Sequence, residues 1–196
     1  MPDIKHSISI GAEPQLVYPL VASGQGFIQW WASDVTEDKP GGNVELGFFK
    51  RATVYGLKPI QLVASRQAHW LCETGKEWAG TRLLFDLEPD RKNTLLRFTH
   101  ADWQADTDYF VSCTTVWGEL MFRIKAAAEG QTPGPLFVAA GLSYGARTEI
   151  VGRMIEEALA CCSLASPINQ TKVQSFDAVL LTRLATQMFT PSKATP

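Results

Sequence analysis

The feature that most restricts the fold is a change of hydrophobic period at Trp103. Between positions 44 and 101, apolar residues recur at alternate positions in short runs separated by turn residues. Beyond Trp103, the residues Tyr109, Cys113, Val116, Trp117, Leu120, Met121 and Ile124 recur at helical spacing. Alternation sends successive side chains to opposite faces of a strand, whereas a period of about 3.6 gathers them into one stripe of a helix. Such a chain has an alternating sheet and one long amphipathic helix, each with an apolar face to cover.

The segments can be placed one by one. Ile4, His6, Ile8 and Ile10 alternate with polar residues as a first strand, which ends at Gly11. Ala12-Glu13-Pro14 opens a helix with Leu16, Val17 and Leu20 on one face, because proline is tolerated in a first turn. A second short helix is expected from Ser23 toward Trp31, followed by a polar, Gly/Pro-containing loop at 34–43. Five strand candidates follow at 44–50, 52–57 continuing through 60–65, 67–73, 81–87 and 95–101. Pro59 lacks an N–H and is expected at a bulge or an edge, and 88–93 reads as a hairpin connection. The long helix is expected over 106–129, with Asp108 near its start, Arg123 and Lys125 near its end, and Gly130 as its stop. The economical assembly is α+β, a helix-grip fold in which a curved antiparallel sheet wraps the long helix.

Charge and leader signals narrow the partners. Eighteen basic and twenty acidic residues give a formal net charge of −2 with no basic cluster, so neither nucleic acid nor an anionic membrane surface is an expected partner. The N-terminus has no basic region followed by an apolar run, and no apolar stretch approaches the roughly 20 residues of a membrane span, so a cytoplasmic location is expected. Cys72, Cys113, Cys161 and Cys162 lack zinc or redox spacing and are expected to be reduced. No cofactor and no metal site is implied.

Several segments, in order, resemble the homologues of the activator of the heat-shock-protein-90 ATPase, within the START-like (SRPBCC) superfamily. They are Ile8-Ser9-Ile10, Trp30-Trp31, Trp70-Leu71-Cys72, Trp78-Ala79-Gly80-Thr81 with Leu83, Phe85 and Leu87, then Leu95-Leu96-Arg97-Phe98-Thr99-His100, Trp103 and Trp117. The resemblance covers residues 1–135 and implies a helix-grip fold with a cavity. It also brings in a co-chaperone-like partnership with a chaperone ATPase, although the extra N-terminal domain of the eukaryotic activators has no counterpart here.

The resemblance stops near Pro133-Gly134-Pro135, leaving 136–196 as a helical C-terminal extension. Ile150, Val151, Met154, Ile155, Ala158, Leu159 and Cys162 form one helical stripe, and a weaker pattern spans 176–189. A stripe of this kind needs a surface, either the body of the same domain or a second copy in a homodimer.

The candidate site is an apolar space between sheet and helix, because ligand sites are concave, mostly apolar and furnished with few polar groups. Alternation aims Trp70, Cys72, Leu83, Phe85, Phe98 and His100 inward, and the helix adds Tyr109, Cys113, Trp117 and Leu120. Trp30, Trp31, Phe48 and Trp103 complete the set, and all of these could either line the space or fill it as core. His100 is the notable polar member: it could bond a ligand, act as a general base in a cyclase- or hydrolase-like reaction, or tie a strand end to a neighbour. No serine or cysteine nucleophile has an assignable partner and no carboxylate pair suggests acid/base work, so no catalytic residue is nominated. Binding of a small hydrophobic ligand, lipid-like or aromatic, is the function these residues suggest.

Overall fold

The computed structural model describes residues 1–139 and 141–143. The helical patterns expected at 150–162 and 176–189, and with them Cys161 and Cys162, lie outside the described residues.

The chain opens with β1 (Ile4–Ile10) and continues into two short helices, α1 (Pro14–Val21) and α2 (Gly24–Ile28). Pro14 occupies the first turn of α1, and Val17, Leu20 and Val21 are buried. Leu16, expected on that face, is 59% exposed, since the buried stripe runs through positions 17, 20 and 21 instead. At α2 the Ser23 hydroxyl caps the helix by accepting from the Gly26 N–H at 3.1 Å.

Six strands follow: β2 (Asp34–Glu37), β3 (Val44–Phe48), β4 (Thr53–Val63), β5 (Gln67–Cys72), β6 (Arg82–Asp90) and β7 (Asn93–Ala101). With β1 they form one seven-stranded sheet in the order β1-β7-β6-β5-β4-β3-β2, antiparallel throughout. The 21-residue helix α3 (Asp108–Ala128) completes the grip, with Thr107 capping it by accepting from the Phe110 N–H at 3.2 Å. The fold is α+β, a curved antiparallel sheet around a long helix.

The segment expected as a loop at 34–43 contains β2, an edge strand. Its polar sequence carries no alternating signal because an edge strand satisfies one ladder and keeps polar side chains toward water. The strand expected at 44–50 stops at Phe48, because Phe49, Lys50 and Arg51 all take positive φ (53, 58 and 65°) to reverse the chain into β4. Arg51 ties this reversal down by donating to Asp34 at 2.8 Å and Glu45 at 2.7 Å. Pro59 sits at a bulge, where the β4–β5 register shifts between Pro59 and Gln61.

Beyond α3, the short strands β8 (Phe137–Val138) and β9 (Gly141–Leu142) pair with each other. The Leu136 and Phe137 N–H groups donate to the Trp30 and Trp31 carbonyls at 3.1 and 2.9 Å, and the Ser33 N–H donates to the Phe137 carbonyl at 2.8 Å. Arg123, expected only as a cation near the helix end, is buried and grips this segment. Its guanidinium donates to the carbonyls of Pro133 (3.1 Å), Gly134 (3.0 Å) and Ser143, while Nε donates to Glu119 at 3.0 Å.

Candidate functional site

The interior between sheet and α3 is built from aromatic residues whose polar tips are individually placed. All six tryptophans are buried. Trp30 Nε1 donates to the Leu20 carbonyl at 2.8 Å and Trp70 Nε1 to the Val21 carbonyl at 3.0 Å, so two indoles satisfy acceptors left open at the end of α1. Alternation on β6 and β7 turns Leu83, Phe85, Phe98 and His100 inward, as their burial shows, and Trp70 and Cys72 do the same on β5.

These rings touch one another. Trp117 on α3 lies with its ring centroid 4.1 Å from Phe98 and 5.0 Å from Trp31, Phe85 is 4.9 Å from Phe98, and Trp30 stacks on Trp31 at 5.4 Å. Leu83 and Leu120 are buried in the same core. Phe48 joins the same core through Tyr55, 5.3 Å away, and also lies 4.9 Å from Phe137. Alternation tells which way each ring points; the span between sheet and helix decides that opposing rings meet.

At one end of this core the chemistry turns polar. Trp117 Nε1 donates to His100 Nδ1 at 3.2 Å, and His100 Nε2 lies 2.8 Å from the Thr81 hydroxyl, which itself donates to the Trp78 carbonyl at 2.6 Å. An indole nitrogen can only donate, so His100 Nδ1 is the acceptor and the proton of the neutral ring is on Nε2. Burial depresses the His100 pKa to about 3, which agrees with that neutral form. Both nitrogens are occupied, so His100 ties a strand end to its neighbours and has no free lone pair for a general base.

Next to it, the hydroxyls of Tyr55 and Tyr109 share a 2.5 Å hydrogen bond. Tyr109, expected inside, is about one third exposed, with its ring 6.1 Å from that of Trp103. Burial raises both phenols, and it pushes the Cys113 thiol up to about 11 and the Cys72 thiol to about 12. The whole set is therefore uncharged at neutral pH, with no thiolate nucleophile.

Trp78 and Trp103 close this end. Their rings are 4.5 and 4.6 Å from His100 and 6.5 Å from each other. The Nε1 atoms of both are buried; among the described residues that of Trp103 has no hydrogen-bond partner, and that of Trp78 has at most a weak one in the Cys113 thiol. Trp103 also lines a surface depression of about 210 Å³ together with Lys76, Glu77, Gln104 and Thr107. Trp78 and Tyr55 were not among the sequence candidates, whereas Thr81, buried here, falls on the face of its strand that alternation turns inward. The available signal was Trp78 as a lone aromatic residue within the polar run 73–80.

Solved structures share this arrangement. The solution structure of the Aha1 dimer from Colwellia psychrerythraea matches with a TM-score of 0.59 and 27% identity, covering 66% of this chain and 98% of that one. The chain is similar to the Aha1-like helix-grip (SRPBCC) proteins.

Other solved structures agree with this chain in fold alone. A structural-genomics protein from Staphylococcus saprophyticus matches at TM-score 0.54 with 13% identity, over 70% of this chain and 99% of its own. DynU16, a protein of the dynemicin biosynthetic locus, matches at 0.56 with 12% identity, over 69% of this chain and 50% of its own. No family model matches the chain, and no curated protein matches it. Among the described residues, no group of three or more His, Cys, Asp or Glu side chains could hold a metal ion, and no helix is long and apolar enough to cross a membrane.

Proposed function

We propose that this protein binds a small hydrophobic molecule, aromatic or lipid-like, at the polar end of the interior between the sheet and α3. The observation that carries the reading is the buried indole N–H of Trp103, which has no partner among the described residues and is set among apolar rings beside the Tyr55–Tyr109 hydroxyl pair. A buried donor left without an acceptor costs about 1–3 kcal/mol, so such groups are rarely retained without a partner that arrives from outside. An apolar wall with a few convergent polar tips is the usual make-up of a small-molecule site. The candidate residues Trp31, Phe98, His100, Trp103, Tyr109, Cys113 and Trp117 belong to this end, with Trp30, Trp70, Cys72, Leu83, Phe85 and Leu120 as the supporting core.

The reading is tested by native mass spectrometry of the freshly purified full chain and by thermal shift against a lipid and aromatic library. A co-purifying small molecule, or a saturable stabilisation by one compound class, is the expected result. The absence of both rejects the proposal.

A second reading is favoured by the likeness to the Aha1 dimer: a co-chaperone-like role, exercised as a homodimer. It expects ATP turnover by a chaperone ATPase to rise when this chain is added, and a sedimentation mass of twice the monomer. Unchanged turnover removes it.

A further inference from the structure

The strap between β5 and β6, residues 73–80, is exposed or half-exposed apart from one side chain. Trp78 is 5% exposed and its ring enters the interior. It stacks on Tyr55 at 4.3 Å with an interplanar angle of 11°, and on its other contacts lies nearly parallel to Trp117 at 6.0 Å and 19°. His100 and Trp103 meet it edge to face at 78° and 74°. The result is a slot with flat walls and aromatic edges, occupied by an indole whose own N–H meets no oxygen acceptor there and at most the weakly accepting Cys113 thiol.

The strap is anchored to the sheet at its two ends, where the Gly56 N–H donates to the Thr74 hydroxyl at 2.6 Å and the Gly80 N–H to the Cys72 carbonyl at 2.8 Å, while the Thr81 hydroxyl donates to the Trp78 carbonyl at 2.6 Å. Gly75 (φ 115°) and Gly80 (φ 88°) bracket Trp78 in conformations open to glycine and costly for other residues. One side-chain latch, the Thr107 hydroxyl donating to Glu77 Oε2 at 2.6 Å, joins the strap to the start of α3. Glu77 and Thr107 both line the depression that adjoins Trp103.

We infer that Trp78 is a displaceable internal plug, and that the ligand taking its place is a planar, uncharged, two-ring aromatic molecule with one hydroxyl or carbonyl oxygen. This rests on the ligand-binding reading above and adds the shape and the chemistry. Planarity follows from the parallel faces of Tyr55 and Trp117, and the two-ring size from the indole that fills the slot. The absence of charge follows from walls that are neutral throughout. The oxygen is the acceptor that the Trp103 N–H lacks, and it lies within the neighbourhood of the Tyr55–Tyr109 hydroxyls. Release of Trp78 toward water gives its own N–H an oxygen acceptor, which offsets part of the loss of stacking.

The test uses the full chain with ¹⁵N-labelled tryptophan indoles, the Trp78 signal being assigned from Trp78→Phe. Titration with 2-naphthol is expected to shift that signal saturably and to speed its exchange with solvent, while the non-planar control cyclohexanol leaves it unmoved. Trp78→Ala is expected to bind 2-naphthol at least tenfold more tightly than the parent, because nothing then competes for the slot. Trp78→Leu, which keeps an apolar side chain on the strap, serves the same comparison if the alanine variant does not fold. Binding of 2-naphthol with the Trp78 signal unchanged, or with no gain in the variants, overturns the plug and leaves the binding reading in place. No binding of any library compound to parent or variants overturns both.

Discussion

Trp117 Nε1 on α3 donates to His100 Nδ1 on β7 across the interior, at 3.2 Å. This contact fixes which nitrogen of the imidazole carries the proton, because the indole has no lone pair to offer in the sheet direction. From there the orientation is transmitted through the Thr81 hydroxyl to the carbonyl of Trp78. The helix thus sets the position of the strap through a histidine that never meets solvent.

One consequence concerns pH. His100 is neutral when folded, with its pKa depressed to about 3 by burial, and about 6.5 when the chain is unfolded. Above pH 6.5 neither state holds the proton and the stabilising relay is fully present. Below it the unfolded chain gains a proton that the folded one refuses, so stability falls by about 1.4 kcal/mol per pH unit down to about pH 3. Urea unfolding between pH 7 and 4.5 measures this. His100→Gln, whose amide can accept from Trp117 and donate to Thr81 without titrating, is expected to flatten the difference. An equal pH slope in both proteins would exclude His100 as its source.

The carbonyl clamp at Arg123 leads to a second expectation. The guanidinium is 4% exposed and satisfies three carbonyls of the segment that carries Leu136 and Phe137 onto Trp30 and Trp31. Arg123→Met keeps the apolar stem and leaves those acceptors to find other partners, at a cost of about 2–3 kcal/mol. Limited proteolysis is expected to cut between 131 and 143 in the variant well before it does so in the parent. An unchanged cleavage pattern would show that other contacts hold the segment.

Much of this was legible beforehand, for identifiable reasons. The inward faces of β5, β6 and β7 follow from alternation, since a sheet with one covered face has no freedom in register. The edge strand β2 was not legible, because a polar edge carries no periodic signal. Leu16 was misplaced by one helical position, an error that eight residues are too few to average out. The clustering of His100 and Trp117, with Trp103 named beside them, was legible, because alternation turns the first inward and helical spacing the second, whereas Trp78 as the ring among them depends on a path through a polar strap that no periodicity describes.

The two strap glycines separate two costs. A Cβ at Gly75 would stand 2.4 Å from the Tyr55 ring, at a φ of 115°, whereas one at Gly80 meets nothing within 4 Å and pays only for its φ of 88°. Gly80→Ala is expected to cost about 1 kcal/mol and Gly75→Ala about 2–4 kcal/mol, with displacement of Tyr55 visible in near-ultraviolet circular dichroism. Equal costs at the two positions would mean that the strap moves away from Tyr55 without penalty.

The buried thiols report on the same end of the core. Burial raises Cys72 to about 12 and Cys113 to about 11, so at pH 8 far less than one part in a hundred of either is thiolate. Iodoacetamide is therefore expected to label both only after denaturation, scored peptide by peptide so that Cys161 and Cys162 do not confuse the count. Trp78→Ala opens the slot beside Cys113, whereas the Cys72 thiol keeps its partner in the Thr81 hydroxyl. Its labelling rate at Cys113 should rise at least tenfold with Cys72 unchanged. Parallel acceleration at both cysteines would point to global loosening of the core in place of an opened strap.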